Sequence, residues 1–299
     1  MIGRRVVEQL SSEQNTIISV DNGYVKMPQL GNKVRAYRTD IRCVDEIDEI
    51  FRLEQPDVVI HLAAVHHIPT CESERAFSLD VNIVGTENVI EKCEKYEVKK
   101  LVIASSGAVY DWTDSELSEA ESVVKAHDNY SLSKLVNEQQ LAHYHKRTGA
   151  TAVVARIFNA LGFDDPNSHL IPDILKQIDF DQASQTIFLG NTAPRRDYIS
   201  ADDVSSSLVA IATSTKASQS FDTINICNNY EYSVLDIVNI VAEILDIVLM
   251  VETDPDRIRK IDRKSQLGNN SKLRRKFNWE STLSVKDCIA EMVSHYKDK

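Results

Sequence analysis

The sequence lacks any long apolar run and opens without a segment typical of secretion. None of its hydrophobic stretches approaches the roughly 20 residues that a membrane-spanning helix needs, and no signal peptide precedes the first charged residues. Apolar residues make up 42% of the chain and charged residues 26%, as is usual for globular enzymes. We therefore expect a soluble, cytoplasmic protein that does not cross a membrane.

The sequence also lacks an excess of positive charge and any closely spaced group of metal ligands. Its formal net charge is −11, which argues against a nucleic-acid-binding protein. A nucleotide substrate stays possible, because one or two local arginines suffice for its phosphates. Five cysteines are scattered without CxxC spacing. Their odd number and wide separation indicate reduced thiols in a cytosolic protein.

Short apolar segments alternate with helical periodicity through the first half of the chain. The segments DVVIHL (57–62), KLVIA (100–104) and AVVARI (152–157) are typical of strands buried on both faces of a parallel sheet. Shorter strands are predicted at 16–20 and 33–37. Helices are predicted at 3–10, 44–53, 76–97 and 130–147. This alternation predicts an α/β fold with a doubly wound, Rossmann-type parallel sheet.

The pattern changes after Asn159, where the loops become longer. Helices are predicted at 171–177, 201–213, 233–245 and 284–296, with strands at 187–189 and 223–226. We expect residues 1–160, with a contribution from about 198–226, to form one domain. Residues 161–299 are expected to form a smaller C-terminal lobe that interleaves with it.

The strongest local signal is the pair Tyr130 and Lys134 in YSLSK. Residues four apart on a helix share a face, so the ammonium group would lie beside the phenol. A nearby cation favours the phenolate and makes it usable as a base. Ser106 follows the strand at 100–104, at the sheet edge where ligands of open α/β folds bind. The alternative interpretation is an amphipathic helix with an exposed lysine, and a polar loop serine.

These motifs resemble those of the extended short-chain dehydrogenases/reductases that act on nucleotide sugars, which include epimerases, dehydratases and ketosugar reductases. SSGAVY (105–110) and YSLSK (130–134) carry the resemblance. Further segments match in order along nearly the whole chain: DVVIHLAA (57–64), VNIVGTENVI (81–90), RIFNALG (156–162), SHLIP (168–172), RRDYISADDV (195–204) and the tail at 254–279.

The resemblance implies NAD as the cofactor. Asp21 would bind the adenosine ribose, and its carboxylate would favour NAD over NADP, because it repels a 2′-phosphate. A simple turn is the alternative interpretation of residues 21–23. Lys134 would lower the pKa of Tyr130 and bind the nicotinamide ribose. The implied cofactor residues are Gly3, Asp21, Asn22, Asp40, Ile41, Leu62, Ala63, Ala64, Asn82, Tyr130 and Lys134.

The resemblance also implies a nucleotide-sugar substrate. Its contacts would be Ser106, Asn159, His169, Arg196 and Arg259, with the two arginines on the diphosphate. The basic tail holds further candidates, namely Arg257, Lys260, Arg263 and Lys264, most of which we expect to be solvated. His66 and His67 have no third ligand at useful spacing, so we interpret them as loop histidines and expect no metal.

Two departures from the family pattern qualify this interpretation. The family begins with a strand and a G-x-x-G-x-x-G loop that contacts the NAD pyrophosphate. Here only Gly3 resembles that motif, so we expect a sheet without its first strand. We also expect truncation rather than a relative that has lost its cofactor.

Family dehydratases also place an Asp-Glu pair after the catalytic hydroxyl residue. Gly107 and Ala108 occupy those positions and cannot act as acid or base.

The sequence therefore predicts an NAD-dependent nucleotide-sugar epimerase with Ser106, Tyr130 and Lys134 as its catalytic centre. An NAD(P)H-dependent reductase of a 4-keto nucleotide sugar shares every one of these residues and is the first alternative. A non-catalytic nucleotide-sugar-binding relative is the second. The resemblance also implies a homodimer formed by the helices at 82–97 and 130–147, although burial against their own sheet would explain their apolar faces equally well.

Overall fold

The computed structural model describes residues 1–11, 15–23, 34–165, 169–215, 220–258 and 263–297. Its strands are β1 Ile17–Asp21, β2 Val34–Arg38, β3 Val58–His61, β4 Lys100–Ser106, β5 Thr151–Ile157, β6 Asn159–Leu161, β7 Ser184–Leu189, β8 Arg195–Ser200, β9 Phe221–Ile226, β10 Glu231–Ser233 and β11 Val248–Thr253. Its helices are α1 Ile2–Ser11, α2 Val44–Glu54, α3 Ile68–Ser73, α4 Arg75–Leu79, α5 Thr86–Lys95, α6 Asn129–Thr148, α7 Leu170–Lys176, α8 Ala201–Thr213, α9 Val234–Leu245, α10 Ser271–Phe277 and α11 Val285–Lys297.

The central sheet has four parallel strands in the order β3-β4-β5-β9. Successive residues of β4 point to opposite faces, so Leu101 and Ile103 pack with α2, α5 and α6, while Val102 packs with α1, α8 and α10. Both faces are thus covered by helices, which explains why these strands are apolar along their length. The predicted doubly wound α/β architecture is confirmed.

A second parallel sheet consists of β1 and β2. Within the described residues β1 hydrogen-bonds only to β2, and β3 only to β4, so each keeps one edge without a strand partner. Residues of β1 and of β3 line one large cleft of about 2690 Å³. The structure therefore agrees with the predicted sheet that lacks a strand.

The helix predicted at 76–97 is not continuous. A turn of π-helix, Asp80–Gly85, separates α4 from α5. Gly85 lies against Ile41, and a Cβ atom at this position would come within 2.6 Å of two Ile41 carbon atoms. The close approach of this segment to Ile41 therefore requires glycine. The helices predicted at 44–53, 130–147, 201–213 and 233–245 lie within one residue of the observed bounds.

The rest of the chain builds a second core around β6, β7, β8, α7, α9 and α11. The strands here form a three-stranded sheet, β10-β8-β6, and a two-stranded sheet, β11-β7. These short strands β6, β8, β10 and β11, like α10, were not predicted. The buried Asp203 near the start of α8 accepts hydrogen bonds from the backbone of Thr282 and Leu283, which joins the larger sheet's helix layer to this second core.

No helix in the described ranges combines the length and apolar character required to span a bilayer. All five cysteines lie in those ranges and are free thiols. The assignment of residues 1–160 and 161–299 to cofactor and substrate binding stays a prediction.

Lys100, the first residue of β4, is buried, and its side chain caps the carboxyl end of helix α8. Its ammonium group donates to the carbonyl oxygens of Ile211, Ala212 and Ser214, at 3.1, 2.8 and 2.5 Å. The last carbonyls of a helix have no partner within the helix, and a cation at this end also interacts favourably with the helix dipole. Lys100 thus anchors α8 to the sheet.

We expect Lys100→Met to lower the free energy of unfolding by about 2 kcal/mol, because the variant keeps the apolar stem but leaves three carbonyls without a donor. Urea denaturation of both proteins measures the difference. Lys99→Met is the matched control, since Lys99 is exposed and pairs only with the exposed Asp57. Equal stability of the Lys100 variant and the Lys99 variant would contradict this role.

Candidate active site

Ser106 is the last residue of β4 and lies at the carboxyl edge of the central sheet. A single 3-10 turn, Gly107–Val109, follows it, and the Ser106 hydroxyl accepts a hydrogen bond from the Ala108 amide at 3.2 Å. Gly107 is closely packed in this turn, because a Cβ atom there would lie 2.9 Å from Gln266 Nε2 and 3.1 Å from the Phe158 ring. A larger residue at this position would require both neighbours to shift.

The start of α6 brings Tyr130 and Lys134 to the same edge. Asp128 caps the helix by accepting from the Ser131 amide at 2.7 Å, which places Tyr130 in the first turn. The Ser106 hydroxyl lies close enough to the Tyr130 phenol to lower its pKa. The Lys134 ammonium lies 5.9 Å from the Tyr130 ring centroid and donates to the Ala104 carbonyl at 2.9 Å. The structure brings the three predicted catalytic residues together.

Burial decides the protonation of this centre. It raises the pKa of Tyr130 to about 12, against the opposing effect of the Ser106 hydrogen bond. It lowers the pKa of Lys134 to about 8. The pKa of Tyr130 is raised rather than lowered, because burial removes the phenolate from water and this disfavours the charged form.

A buried ion pair lies beneath these residues. Glu138 accepts two hydrogen bonds from Arg156 of β5, at 2.9 and 2.7 Å, and one from Ser105 at 2.5 Å. The Arg156 guanidinium also lies 4.6 Å from the Tyr110 ring centroid. Glu138 stands one helical turn after Lys134, so the ion pair sets how α6 sits on β4 and β5.

Most residues predicted to bind the cofactor line the cleft, and they include Asp21, Asp40 and Tyr130. Asp21 ends β1, and its carboxylate accepts from the Gly23 amide at 2.7 Å. Asp40 accepts two hydrogen bonds from the Arg42 side chain, at 2.9 Å each, which lowers the pKa of its carboxyl. The other residues predicted for the cofactor that line the cleft are Gly3, Asn22, Ile41, Leu62, Ala63, Ala64, Tyr130 and Lys134.

Asn82 lies behind the cleft rather than in its lining. Its buried amide bonds to both the N–H and the carbonyl of Val65, at 2.8 and 2.9 Å, and to the Ser133 hydroxyl at 3.0 Å. It therefore holds the segment after β3 against α6. The lining residues around Asp21 and around Tyr130 fit the two ends of a dinucleotide, with the first turn of α1 between them.

The predicted substrate residues lie on the other side of Ser106. Asn159 begins β6 and donates to the Asp197 carbonyl at 3.0 Å, while Arg196 of β8 reaches the Arg195 and Arg263 carbonyls. His169 pairs with Asp165 and lies across the cleft mouth from His66 and His67, whose ring centroids are 6.3 and 6.0 Å away. Arg259 lies outside the described residues.

Arg263 is an exception to the solvation expected for most of the basic tail. Only 6% of its surface is exposed, and it lines the cleft together with Gln266. The sequence carries no signal for this, because Arg263 stands among several similar basic residues, and its burial follows from the path of the backbone. Trp112 and His127 also line the cleft, with stacked rings 4.5 Å apart, and were not predicted.

Lys134 should destabilise the folded protein at neutral pH. Below about pH 8 the folded protein carries a buried charge, and between about pH 8 and 10.5 the unfolded chain binds more protons than the folded one, so the contribution of Lys134 to the free energy of unfolding rises with pH. We expect Lys134→Met to be more stable than the wild type at pH 7, by about 1–3 kcal/mol after the loss of the hydrogen bond to Ala104.

Urea denaturation at pH 7 and pH 10 tests this expectation, since the advantage of Lys134→Met should shrink at the higher pH. Lys146→Met, on the exposed face of the same helix, is the control and should show no such pH dependence. A Lys134 variant that is less stable than the wild type at both pH values would show that burial does not penalise this ammonium group.

Comparisons with known proteins agree with this geometry. The GDP-6-deoxy-D-mannose reductase of Pseudomonas aeruginosa is 24% identical over 88% of this chain and 87% of its own length. The UDP-glucose 4-epimerase of Lactobacillus helveticus is 26% identical over 97% and 92%. The structure of a Thermotoga maritima UDP-glucose 4-epimerase with UDP-glucose superposes with a TM-score of 0.89 at 23% identity, covering 100% of this chain and 96% of the other. The sequence profile of the NAD dependent epimerase/dehydratase family matches residues 1–227, and the chain belongs to that family.

Proposed function

We propose that this protein is an NAD-dependent nucleotide-sugar epimerase in the cytoplasm. The observation that supports this most directly is the meeting of Ser106, Tyr130 and Lys134 at the carboxyl edge of a parallel sheet, beside a cleft that also contains Asp21. Open α/β sheets bind their ligands at this edge. The free thiols of all five cysteines suit a reducing compartment.

Each residue of the centre has a distinct task in this proposal. Tyr130 takes the proton of a sugar hydroxyl and later returns it to the same oxygen, while the Ser106 hydroxyl holds that oxygen by a hydrogen bond. Lys134 is charged below about pH 8, and its positive charge favours the phenolate form of Tyr130. NAD, when bound, supplies the hydride acceptor and donor. Gly107 and Ala108 provide neither acid nor base, which disfavours dehydration.

The substrate side of the cleft supports a nucleotide sugar. Asn159 and Arg196 line the same cleft as Ser106 and lie on the paired strands β6 and β8, so a sugar held at Ser106 could place its diphosphate next to Arg196. Guanidinium groups bind diphosphate oxygens in a bidentate manner. Reduction of a 4-keto nucleotide sugar is the second candidate, because it uses the same residues and because the Pseudomonas aeruginosa relative is named as a reductase.

Calorimetric titration with NAD, followed by a panel of UDP-, GDP- and dTDP-sugars, tests the proposal. An epimerase interconverts two sugars without net change in the nicotinamide, whereas a reductase consumes NADH or NADPH. We expect Tyr130→Phe to lower kcat by about 10²- to 10⁴-fold with little effect on NAD affinity, because only the proton-transfer group is lost.

Tyr230→Phe is the matched control, since this tyrosine is exposed and does not line the cleft. Binding of a nucleotide sugar but not of NAD would favour the non-catalytic alternative, and binding of neither would contradict the proposed function.

We also propose a homodimer formed through the π-helical turn, α5 and α6. These segments pack on one another, yet Val84 and Leu132 remain 51% and 42% exposed. Light scattering at micromolar concentration should give twice the mass of the chain, and Val84→Glu with Leu132→Glu should give the monomer, because each copy would then bury unpaired charge. Leu235→Glu, at an exposed position of α9, is the control. A monomeric wild type would exclude this interface.

A further inference from the structure

Residues 263–268, which we term the strap, run between β8 and the loop that follows Ser106. On one side, Arg195 and Asp197 of β8 donate their amides to the carbonyls of Lys264 and Gln266, at 2.8 and 3.0 Å. On the other side, the Leu117 amide donates to the Leu267 carbonyl at 2.8 Å. The strap is thus paired along both edges, which fixes where its side chains can reach.

Arg263 reaches from the strap to the turn after Ser106. Its guanidinium donates to the carbonyl oxygens of Gly107 and Tyr110, at 3.3 Å each, and of Asp111 at 2.7 Å. These three carbonyls span the turn that begins at the residue directly after Ser106. A single rigid, planar donor therefore bridges both ends of that turn.

Arg263 forms no salt bridge among the described residues. Its Nε atom has no hydrogen-bond partner among them, and the attraction of the Asp111 carboxylate is smaller than the combined effects of burial and the nearby Arg196. Burial and Arg196 lower the pKa of Arg263 to about 10. A buried charge without a counter-ion is costly, and well-packed apolar residues commonly serve stability as well or better. Folding stability alone is therefore a poor explanation for arginine at this position.

We propose that Arg263 is a positioning residue that holds the turn after Ser106, and thereby keeps the Ser106 hydroxyl in register with Tyr130. The inference rests on the proposed function of that pair. Because the strap also hydrogen-bonds to β8, the same segment ties the Ser106 turn to the strand that carries Arg196. Arg263 acts through the backbone of residues 107–111 and needs no contact with the sugar.

The first test needs no substrate. Hydrogen exchange of the peptide covering residues 107–112 should be about tenfold faster in Arg263→Gln than in the wild type, because the turn loses its shared donor and opens locally. Lys264→Gln is the control, since Lys264 is the exposed neighbour on the same strap. Arg263→Lys provides a second variant should the glutamine variant fail to fold. Unchanged exchange in a folded variant would overturn the proposal.

The second test separates positioning from substrate binding. Arg263→Gln should lower kcat by about 10- to 100-fold with little change in the KM for the nucleotide sugar, and Arg263→Lys should recover part of the loss. A raised KM with unchanged kcat would overturn the proposal and make Arg263 a diphosphate ligand instead. A wild-type chain without binding or turnover would contradict the proposed function, and the exchange measurement would still decide whether Arg263 holds the turn.

Discussion

Glu138 and Arg156 form an ion pair inside the protein, at the junction of α6, β4 and β5. Each arm of the Glu138 carboxylate is bonded to the guanidinium, and one arm also takes the Ser105 hydroxyl. Separating Glu138 from Arg156 would leave a buried charge uncompensated. A shift of α6 relative to β5 therefore costs free energy. Ser106 follows Ser105, and Lys134 stands one turn before Glu138. The register of the whole catalytic centre therefore depends on this contact.

The cleft is lined by side chains of both charges in a protein whose net charge is −11. Its cations include Lys134, Arg196 and Arg263. Burial lowers the pKa of Lys134 and of Arg263, because it disfavours the charged form of each group. A substrate that brings negative charge and excludes water changes this balance, since charges interact more strongly when they are shielded from solvent. The chemistry of the cleft is thus prepared for an anionic ligand.

Much of the fold could be predicted from local patterns. The runs at 57–62, 100–104 and 152–157 are apolar because both faces of the sheet are covered, and this produces a signal that survives without tertiary context. The segment at 76–97 shows the limit of such patterns. Its periodicity is helical, but the contact between Gly85 and Ile41 introduces a π-turn that depends on a partner more than 40 residues away. The short strands of the second core likewise have no periodic signal of their own.

Some residues of the candidate site could be predicted from the sequence, and others could be recognised only in the folded structure. Tyr130, Lys134 and Ser106 could be found from the sequence alone, because the helix repeat and the strand end determine their placement locally. The tertiary structure decided the role of Arg263, which the sequence does not distinguish from a solvated arginine. It also decided that the pKa of Tyr130 is raised rather than lowered. Burial, register and pairing across the chain are properties of the packed molecule, and no local pattern of residues encodes them.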